Sequence, residues 1–248
     1  GLVLFPFPNR IKDGKYHFEG KIYELDLSEP DRNNAIHGFA MKAPFTIVRT
    51  EADVDKAEIE LSYQEKGTTK GYPFKTKLTV IYTLTPISGL ICKCFIENND
   101  NQKIPVGLGW HPYFKTGSKV NNLELTIPAT QVFDVDSRLI PTGKYLGNPF
   151  AGKRVLTDTQ LDTGFKLEGE EGTAITELRD PKQDVSVKIW QKTGPKKYNF
   201  VQVFIPKDRL SIAIEPMSIA TDAFNNGVGL VTLEAGETSE LEYGIYIA

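Results

Sequence analysis

The chain has 248 residues, a formal net charge of −3 at pH 7 and 40% hydrophobic residues. This length fits one large domain with a substantial core, and β-sandwiches of this size are commonly undivided. A slightly negative net charge lacks the excess of basic residues typical of proteins that bind nucleic acid or an anionic membrane surface. No apolar run is long enough to predict a transmembrane helix.

The N-terminal segment, residues 1–8, is apolar and rich in proline. It has neither a basic region nor a small-residue cleavage site, so we do not predict a signal peptide. Arg10 follows, and a guanidinium suits bidentate polar recognition, although an ordinary surface arginine is the competing interpretation. Further on, Glu19-Gly20 predicts the turn of a β-hairpin that leads into residues 21–25.

A polar loop, Asn33-Asn34-Ala35-Ile36-His37-Gly38, carries one of the three histidines. His37 is either bonded locally or faces a site, and the glycine after it permits a close approach or an unusual dihedral angle. His17 alternates with aromatic residues in the predicted hairpin, and we predict that it lies on the surface.

Period-two alternation of apolar residues dominates the rest of the chain. Runs of this kind, bounded by Gly, Pro, Asn and Asp, predict the strands of a sandwich or barrel. We find no helical stripe, internal repeat or linker, so we predict one all-β domain over residues 1–248. The apolar positions of four runs are Leu78, Val80, Tyr82 and Leu84; Leu90, Cys92, Cys94 and Ile96; Val185, Val187 and Ile189; and Leu241, Tyr243, Ile245 and Ile247.

The two cysteines, Cys92 and Cys94, are two residues apart in one predicted strand. This spacing is poor geometry for a mutual disulfide, so we predict buried thiols. No further Cys or His pair stands at ligand spacing, and we therefore predict no metal site. Reduced thiols fit a cytoplasmic protein.

The segment from Gly107 to Phe114 places His111 between a tryptophan and a Pro-Tyr-Phe run. Histidine gives and takes protons near neutral pH, and the surrounding aromatic rings suit a sugar-binding wall. A partly buried histidine in an aromatic core is the alternative.

Glu215 closes the apolar run Leu210-Ser211-Ile212-Ala213-Ile214 and precedes a proline. Burial of an ionised carboxylate is costly, so a desolvated Glu215 would have a raised pKa suited to a general base, whereas a position at the strand mouth would leave it in water.

Residues 128–170 mix isolated apolar residues with Gly, Pro and Thr, which predicts long functional connections containing short strands. Asp162 lies in this stretch and could equally be a plain turn residue.

Four segments resemble the aldose 1-epimerase (galactose mutarotase-like) family. In chain order they are Phe5-Pro6-Phe7-Pro8-Asn9-Arg10-Ile11; Ile36-His37-Gly38-Phe39; Gly109-Trp110-His111-Pro112-Tyr113-Phe114; and Ile214-Glu215-Pro216 with Thr221-Asp222-Ala223-Phe224-Asn225. The resemblance implies a large antiparallel β-sandwich, often called a supersandwich, with a sugar in an open cleft. Members of the family carry further strands ahead of the first segment, and we expect this chain to lack them.

The resemblance implies an acid–base mechanism that needs no cofactor. Glu215 corresponds to the base that removes the proton from the C1 hydroxyl, and His111 to the acid that protonates the ring oxygen. His37 matches a second histidine near that oxygen. Rotation about C1–C2 in the open sugar, followed by the reverse proton transfers, gives the other anomer. This role requires a protonated His111 beside an ionised Glu215.

The resemblance also implies residues that bind the sugar. Arg10 matches an arginine that holds hydroxyl groups, and Asp162 resembles the carboxylate of the family's Leu-Asp-x-x-Phe pattern. We also expect Trp110 and Asn34 to contact the sugar. The implied partner is a small sugar, not nucleic acid or a membrane.

Three functions remain open at this point. The first is anomer exchange of a free aldose. The second is the same reaction on a hexose 6-phosphate, for which Lys12 and Lys42 are candidate phosphate contacts. The third is a non-catalytic carbohydrate-binding protein, which would be expected to lack at least one of His37, His111 and Glu215. A glycoside hydrolase is disfavoured because only Glu215 stands out as a carboxylate of the required kind.

Overall fold

The computed structural model describes residues 1–248, and almost all of its regular structure is β. The first twelve strands are β1 (Leu2–Leu4), β2 (Ile11–Lys12), β3 (Lys15–Phe18), β4 (Lys21–Glu24), β5 (Asn34–Ala35), β6 (Thr46–Ala52), β7 (Ala57–Lys66), β8 (Lys75–Thr85), β9 (Gly89–Asn98), β10 (Ile104–Val106), β11 (Gly109–His111) and β12 (Tyr113–Phe114).

The second half of the chain contains eleven more strands and one short α-helix. The strands are β13 (Glu124–Thr126), β14 (Ala129–Val135), β15 (Pro141–Leu146), β16 (Arg154–Val155), β17 (Asp162–Leu167), β18 (Gly172–Asp180), β19 (Val185–Thr193), β20 (Phe200–Phe204), β21 (Ile212–Met217), β22 (Val231–Leu233) and β23 (Thr238–Ile247). The helix is α1 (Ala223–Asn226), and 3-10 turns lie at Pro30–Arg32, Ala40–Lys42 and Val120–Asn122. No helix is both long enough and apolar enough to cross a membrane.

Two large antiparallel sheets form the body of the molecule. One has eight strands in the order β1-β11-β21-β20-β17-β14-β15, with β12 also paired to β21, and the other has nine in the order β16-β13-β18-β19-β23-β9-β8-β7-β6. Three two-stranded pairs, β2–β5, β3–β4 and β10–β22, complete the fold. The predicted all-β class and antiparallel sandwich are therefore confirmed.

The sheets pack against each other through apolar side chains on alternate positions. A cluster of 19 buried residues joins Ile212 and Ile214 of β21 to Leu178 of β18 and Ile189 of β19. A second cluster, of 28 buried residues, includes Leu78 and links the nine-stranded sheet to the N-terminal hairpin and to the loops. Because Ile212 and Ile214 face the core, the residues between and after them on β21 face the opposite side of the eight-stranded sheet.

The four alternating runs all form strands, namely β8, β9, β19 and β23. The predicted hairpin is present as β3 and β4, and its turn residues Glu19 and Gly20 have φ values of 47° and 74°. His17 is exposed, as predicted. Cys92 and Cys94 are buried free thiols, and their Sγ atoms are 3.6 Å apart.

Residues 128–170 are more regular than predicted, because β14, β15 and β17 together occupy much of this stretch. Alternate positions of β17 are Asp162, Gly164 and Lys166, which lie on the face away from the core. Only Phe165 and Leu167 of this strand are buried apolar residues. The apolar signal in the sequence is weak because one face of the strand is polar.

Candidate active site

A cleft of about 700 Å³ opens on the face of the eight-stranded sheet that points away from the sandwich core. Strand pairing sets its floor: Glu215 of β21 lies opposite Gln202 of β20, which lies opposite Gly164 of β17. The next row, two residues or roughly 6.7 Å along the strands, has Tyr113 at one end and Asp162 at the other. Tyr113 and Glu215, which are far apart in the sequence, thus share one surface.

Glu215 and His111 form the closest acid–base pair in the cleft. His111 Nε2 lies 3.5 Å from Glu215 Oε1, and their side chains are 12% and 2% exposed. The other carboxylate oxygen of Glu215, Oε2, is buried and has no hydrogen-bond partner. Buried polar atoms are normally hydrogen-bonded, so an unpartnered oxygen on a residue that lines the cleft is an unusual feature of this site.

Burial favours the neutral form of both members of this pair. It raises the pKa of Glu215 well above its usual value, and the nearby Asp162 raises it further, whereas Arg10 opposes the shift. Burial lowers the pKa of His111 to about 4. Of the two interpretations of Glu215 left open by the sequence, the desolvated carboxyl with a raised pKa is the one found, but burial does not favour the charged pair expected from the resemblance.

His37 reaches the same part of the cleft from the loop that follows β5. Its ring centroid is 5.5 Å from that of His111, with the two rings almost perpendicular. Burial, followed by the proximity of His111 and Arg10, lowers the pKa of His37 to about 3. The loop needs glycine at Gly38, because φ there is 64° and a Cβ would stand 2.1 Å from the carbonyl oxygen of Phe5.

Arg10 is almost fully buried at the edge of the cleft and belongs to an ion-pair network. Its Nε and Nη2 atoms donate to the two carboxylate oxygens of Glu29, at 2.9 and 3.0 Å. Nη2 also lies 3.4 Å from Asp162 Oδ2, and Gln202 Nε2 donates to Asp162 Oδ1 at 2.7 Å. Arg10 and Asp162, both predicted from the sequence, therefore meet across 152 residues of chain.

Glu29 and Gln202 are site residues that sequence reasoning missed. Glu29 stands in an ordinary polar stretch before Pro30, and Gln202 lies in the apolar strand β20. The only sequence signal for Gln202 is a polar residue in an otherwise apolar run, which is weak by itself.

Two predicted sugar contacts are wrong. Trp110 precedes His111 in β11 and so points to the opposite face, where it is 4% exposed and stacks on Tyr243 with ring centroids 4.8 Å apart. Asn34 is fully buried behind the cleft wall, and its side-chain amide donates to Glu29 and to the carbonyl of Arg138. The aromatic rings of Tyr113 and Phe204 do line the cleft, and the ring of Tyr113 stacks on that of His111 with centroids 4.9 Å apart.

The cations at the cleft rim also differ from the sequence expectation. Lys12 and Lys42 are exposed but do not line the cleft, whereas Arg32 and Lys207 do. Arg32 donates to Glu29 at 2.8 Å and keeps 42% of its side chain exposed. Lys207 is exposed and has no salt-bridge or hydrogen-bond partner for its side chain in the structure. No group of three or more His, Cys, Asp or Glu side chains is arranged to hold a metal ion.

Comparison with known proteins gives a family match along almost the whole chain. The sequence profile of the family described as aldose 1-epimerase matches residues 1–246. The chain is 31% identical to the uncharacterized protein YihR of Escherichia coli (strain K12) over 255 residues, which covers 99% of this chain and 78% of YihR. It is 30% identical to the galactose mutarotase of Homo sapiens over 148 residues, which spans 58% of this chain and only 41% of the human protein.

Solved structures give the same fold. A galactose mutarotase-like protein from Clostridium acetobutylicum superposes with a TM-score of 0.86 at 24% identity, over 99% of this chain and 78% of that one. The sandwich is therefore of the galactose mutarotase-like kind that the resemblance implied.

Proposed function

Because the chain belongs to the aldose 1-epimerase family, we propose that it interconverts the α and β anomers of an aldose by acid–base opening and closure of the sugar ring. The observation that carries this proposal is the buried Glu215–His111 pair on the floor of the cleft, with its atoms 3.5 Å apart. An acid and a base this close suit two proton transfers at neighbouring oxygen atoms of one sugar.

Glu215 accepts the proton of the C1 hydroxyl, and His111 donates a proton to the ring oxygen. The bond between C1 and the ring oxygen breaks, a C1 carbonyl forms, and the ring oxygen becomes a hydroxyl group. Rotation about C1–C2 then presents the other face of the aldehyde. In the return step His111 takes back its proton and Glu215 protonates the former carbonyl oxygen, so that no proton is gained or lost.

This cycle needs one proton shared between Glu215 and His111. In the open-chain state Glu215 holds it and His111 is neutral, which is the distribution that burial favours. A cyclic sugar that donates hydrogen bonds to Glu215 stabilises the ionised carboxylate, so the proton moves to His111. The proton distribution that burial favours thus matches the open-chain intermediate. Binding of the cyclic sugar shifts the proton to His111, which gives the distribution needed for ring opening.

Other side chains in the cleft support binding of a polyol. Arg10 donates and Asp162 accepts hydrogen bonds, so we assign both to sugar hydroxyl groups. His37, whose lowered pKa of about 3 keeps it neutral, is assigned a hydrogen bond near the ring oxygen. The half-exposed ring of Tyr113 offers an apolar face for the C–H groups of the sugar.

Exchange spectroscopy between the anomeric protons of glucose, galactose and xylose tests the proposed function. We expect the protein to accelerate exchange of at least one aldose. Sugar binding without faster exchange would overturn the proposal and favour the non-catalytic carbohydrate-binding protein.

Anomer exchange of an anionic aldose is a second candidate function, favoured by the charge of the cleft. Arg10, Arg32 and Lys207 face two carboxylates, Glu29 and Asp162, while burial keeps Glu215 neutral, so one positive charge is in excess. Lys207 follows β20 and lies five residues beyond Gln202, past the row that contains Asp162, and therefore away from the acid–base pair. A cation there suits a phosphate group at the end of the sugar remote from C1.

Comparing glucose with glucose 6-phosphate separates the two candidates. For an anionic substrate we expect a higher kcat/KM with the phosphate ester, and Lys207→Met should lower that value about tenfold without affecting glucose. Equal loss on both sugars, or no loss, would contradict a phosphate contact at Lys207. Lys12→Met is the matched control, since Lys12 lies outside the cleft.

A further inference from the structure

Glu29 is the most heavily hydrogen-bonded carboxylate at the cleft. Its Oε2 accepts from Arg10 Nε at 2.9 Å and from Asn34 Nδ2 at 3.0 Å. Its Oε1 accepts from Arg10 Nη2 at 3.0 Å and from Arg32 Nη1 at 2.8 Å. A carboxylate has about four lone-pair positions, so Glu29 has none left for a sugar hydroxyl group.

Glu29 is also permanently ionised in the range where an enzyme works. Burial alone would raise its pKa, but the hydrogen bonds from Arg10, Asn34 and Arg32 outweigh burial and lower the pKa to about 2. A group that is both saturated with donors and unable to take up a proton cannot act as acid or base. Glu29 therefore acts through the residues to which it is hydrogen-bonded.

The donors of Arg10 are divided between this carboxylate and the cleft. A guanidinium carries five N–H groups in a fixed plane. Glu29 takes one from Nε and one from Nη2, and Asp162 lies near Nη2 at 3.4 Å. Nη1 has no protein partner and is not fully buried. Bidentate pairing fixes the plane of the guanidinium, and with it the direction of the free N–H groups.

A second set of polar contacts links Glu29, through Asn34, to Arg138. The side-chain amide of Asn34 bonds both Glu29 and the carbonyl oxygen of Arg138. Arg138 in turn donates to Asn34 Oδ1 at 3.1 Å and to the carbonyls of Arg32 and Asn33, both at 2.8 Å. The segment between Glu29 and His37 is therefore tied, through Arg32, Asn33 and Asn34, to the turn between β14 and β15.

We propose that Glu29 is a positioning residue that orients Arg10, so that the free Nη1 of Arg10 faces the sugar. The inference rests on the proposed function. It assigns no contact between Glu29 and the substrate. It explains why a partly buried, fully hydrogen-bonded carboxylate lies beside an arginine that must present donors to the cleft.

A double-mutant cycle in KM tests this role. Glu29→Gln removes one of the two acceptors of the bidentate pair, and we expect KM for the best aldose to rise about tenfold while kcat changes less than threefold. In the Arg10→Lys background the same substitution should change KM less than twofold, because no guanidinium remains to be oriented. Glu24→Gln is the matched control, since it removes the same charge from an exposed pair with Lys15.

Additive effects of the two substitutions on KM, or a fall in kcat alone, would contradict positioning. A second measurement serves if Glu29→Gln does not fold. In the ¹H–¹⁵N spectrum of the wild-type protein, an arginine Nε–H signal that exchanges slowly with water and disappears in Arg10→Lys is expected. Fast exchange of that signal would overturn the proposal. This measurement needs no turnover, so it stands even if anomer exchange is not found.

Discussion

At the scale of single residues, the number of protons held by Glu215 and His111 together governs the site. Burial favours the neutral form of both groups, which leaves one proton in the pair. With two protons in the pair Glu215 cannot act as the base, and with no proton His111 cannot act as the acid. The charge of Asp162 raises both pKa values and so shifts the one-proton range to higher pH, whereas Arg10 lowers the pKa of Glu215.

The pH dependence of kcat/KM should therefore show a plateau. On the acid side the rate should fall below the pKa of His111, about 4, and on the alkaline side above the raised pKa of Glu215. Asp162 raises both pKa values, so Asp162→Asn should move both limbs to lower pH. Initial exchange rates from pH 3.5 to 10 measure this. Unmoved limbs in the variant would contradict electrostatic coupling of Asp162 to the pair.

Burial of Glu215 has a cost to folding that grows with pH. Its folded pKa is raised above the usual 4.5, so the unfolded chain releases this proton first. Stability is therefore unaffected below about pH 4.5 and falls as the pH rises, by at most about 1.4 kcal/mol per unit. Glu215→Gln does not titrate and should be more stable than wild type at pH 8, with a smaller gain at pH 5. Urea unfolding at both pH values checks this, and a variant less stable at pH 8 would refute it.

The sequence reveals residues whose local context is unusual and misses those whose context is ordinary. Glu215 and His111 stand out because a carboxylate ends an apolar run and a histidine lies among aromatic rings. Glu29 acquires its role from Arg10, 19 residues away, and Gln202 acquires its role from Asp162, 40 residues away. The prediction for Trp110 is wrong because neighbouring residues in a strand point to opposite faces. The sequence alone does not show which of the two faces holds the cleft.

At the scale of elements, the loop between β5 and the 3-10 turn Ala40–Lys42 positions His37 by bringing the backbone of Gly38 close to the carbonyl oxygen of Phe5. His37 and Gly38 both have positive φ, 67° and 64°, and the amide of Phe39 donates to the carbonyl of Phe5 at 2.8 Å. The loop is thereby fixed to the N-terminal segment that carries Arg10. The strands were predictable from alternation, but this loop conformation needed the contact with Phe5.

Gly38→Ala should destabilise the protein by about 2–4 kcal/mol, because the added methyl group would collide with the carbonyl of Phe5 in addition to the cost of positive φ. Gly20→Ala is the matched control. It has φ 74° but no atom within 4 Å of a Cβ, so it should cost only about 1 kcal/mol. Urea denaturation of both variants measures the difference. Equal losses would show that the close approach does not constrain the loop.

At the scale of the whole molecule, two clusters of buried residues share the nine-stranded sheet. The 19-residue cluster lies between the sheets, and the 28-residue cluster joins the nine-stranded sheet to the N-terminal hairpin. Partly buried Ile245 of β23 packs against both clusters. A shared strand of this kind favours cooperative unfolding.

The single domain predicted for residues 1–248 can be tested through these clusters. Leu78→Ala in the larger cluster and Leu178→Ala in the smaller one each remove a fully buried side chain. We expect either variant to lower the free energy of unfolding by about 2–5 kcal/mol in one shared transition. Urea unfolding followed by tryptophan fluorescence and circular dichroism gives the result, and two separate transitions would contradict a single cooperative unit.

The most direct test of the account is anomer exchange by Glu215→Gln, measured by exchange spectroscopy on the best aldose. The variant keeps the shape of the side chain but cannot accept the C1 hydroxyl proton. We expect it to bind the sugar and stay folded while its exchange rate falls about 10²–10⁴-fold, with Glu240→Gln on the surface unchanged. A folded Glu215→Gln protein that exchanges anomers at the wild-type rate would contradict the central claim that Glu215 is the base.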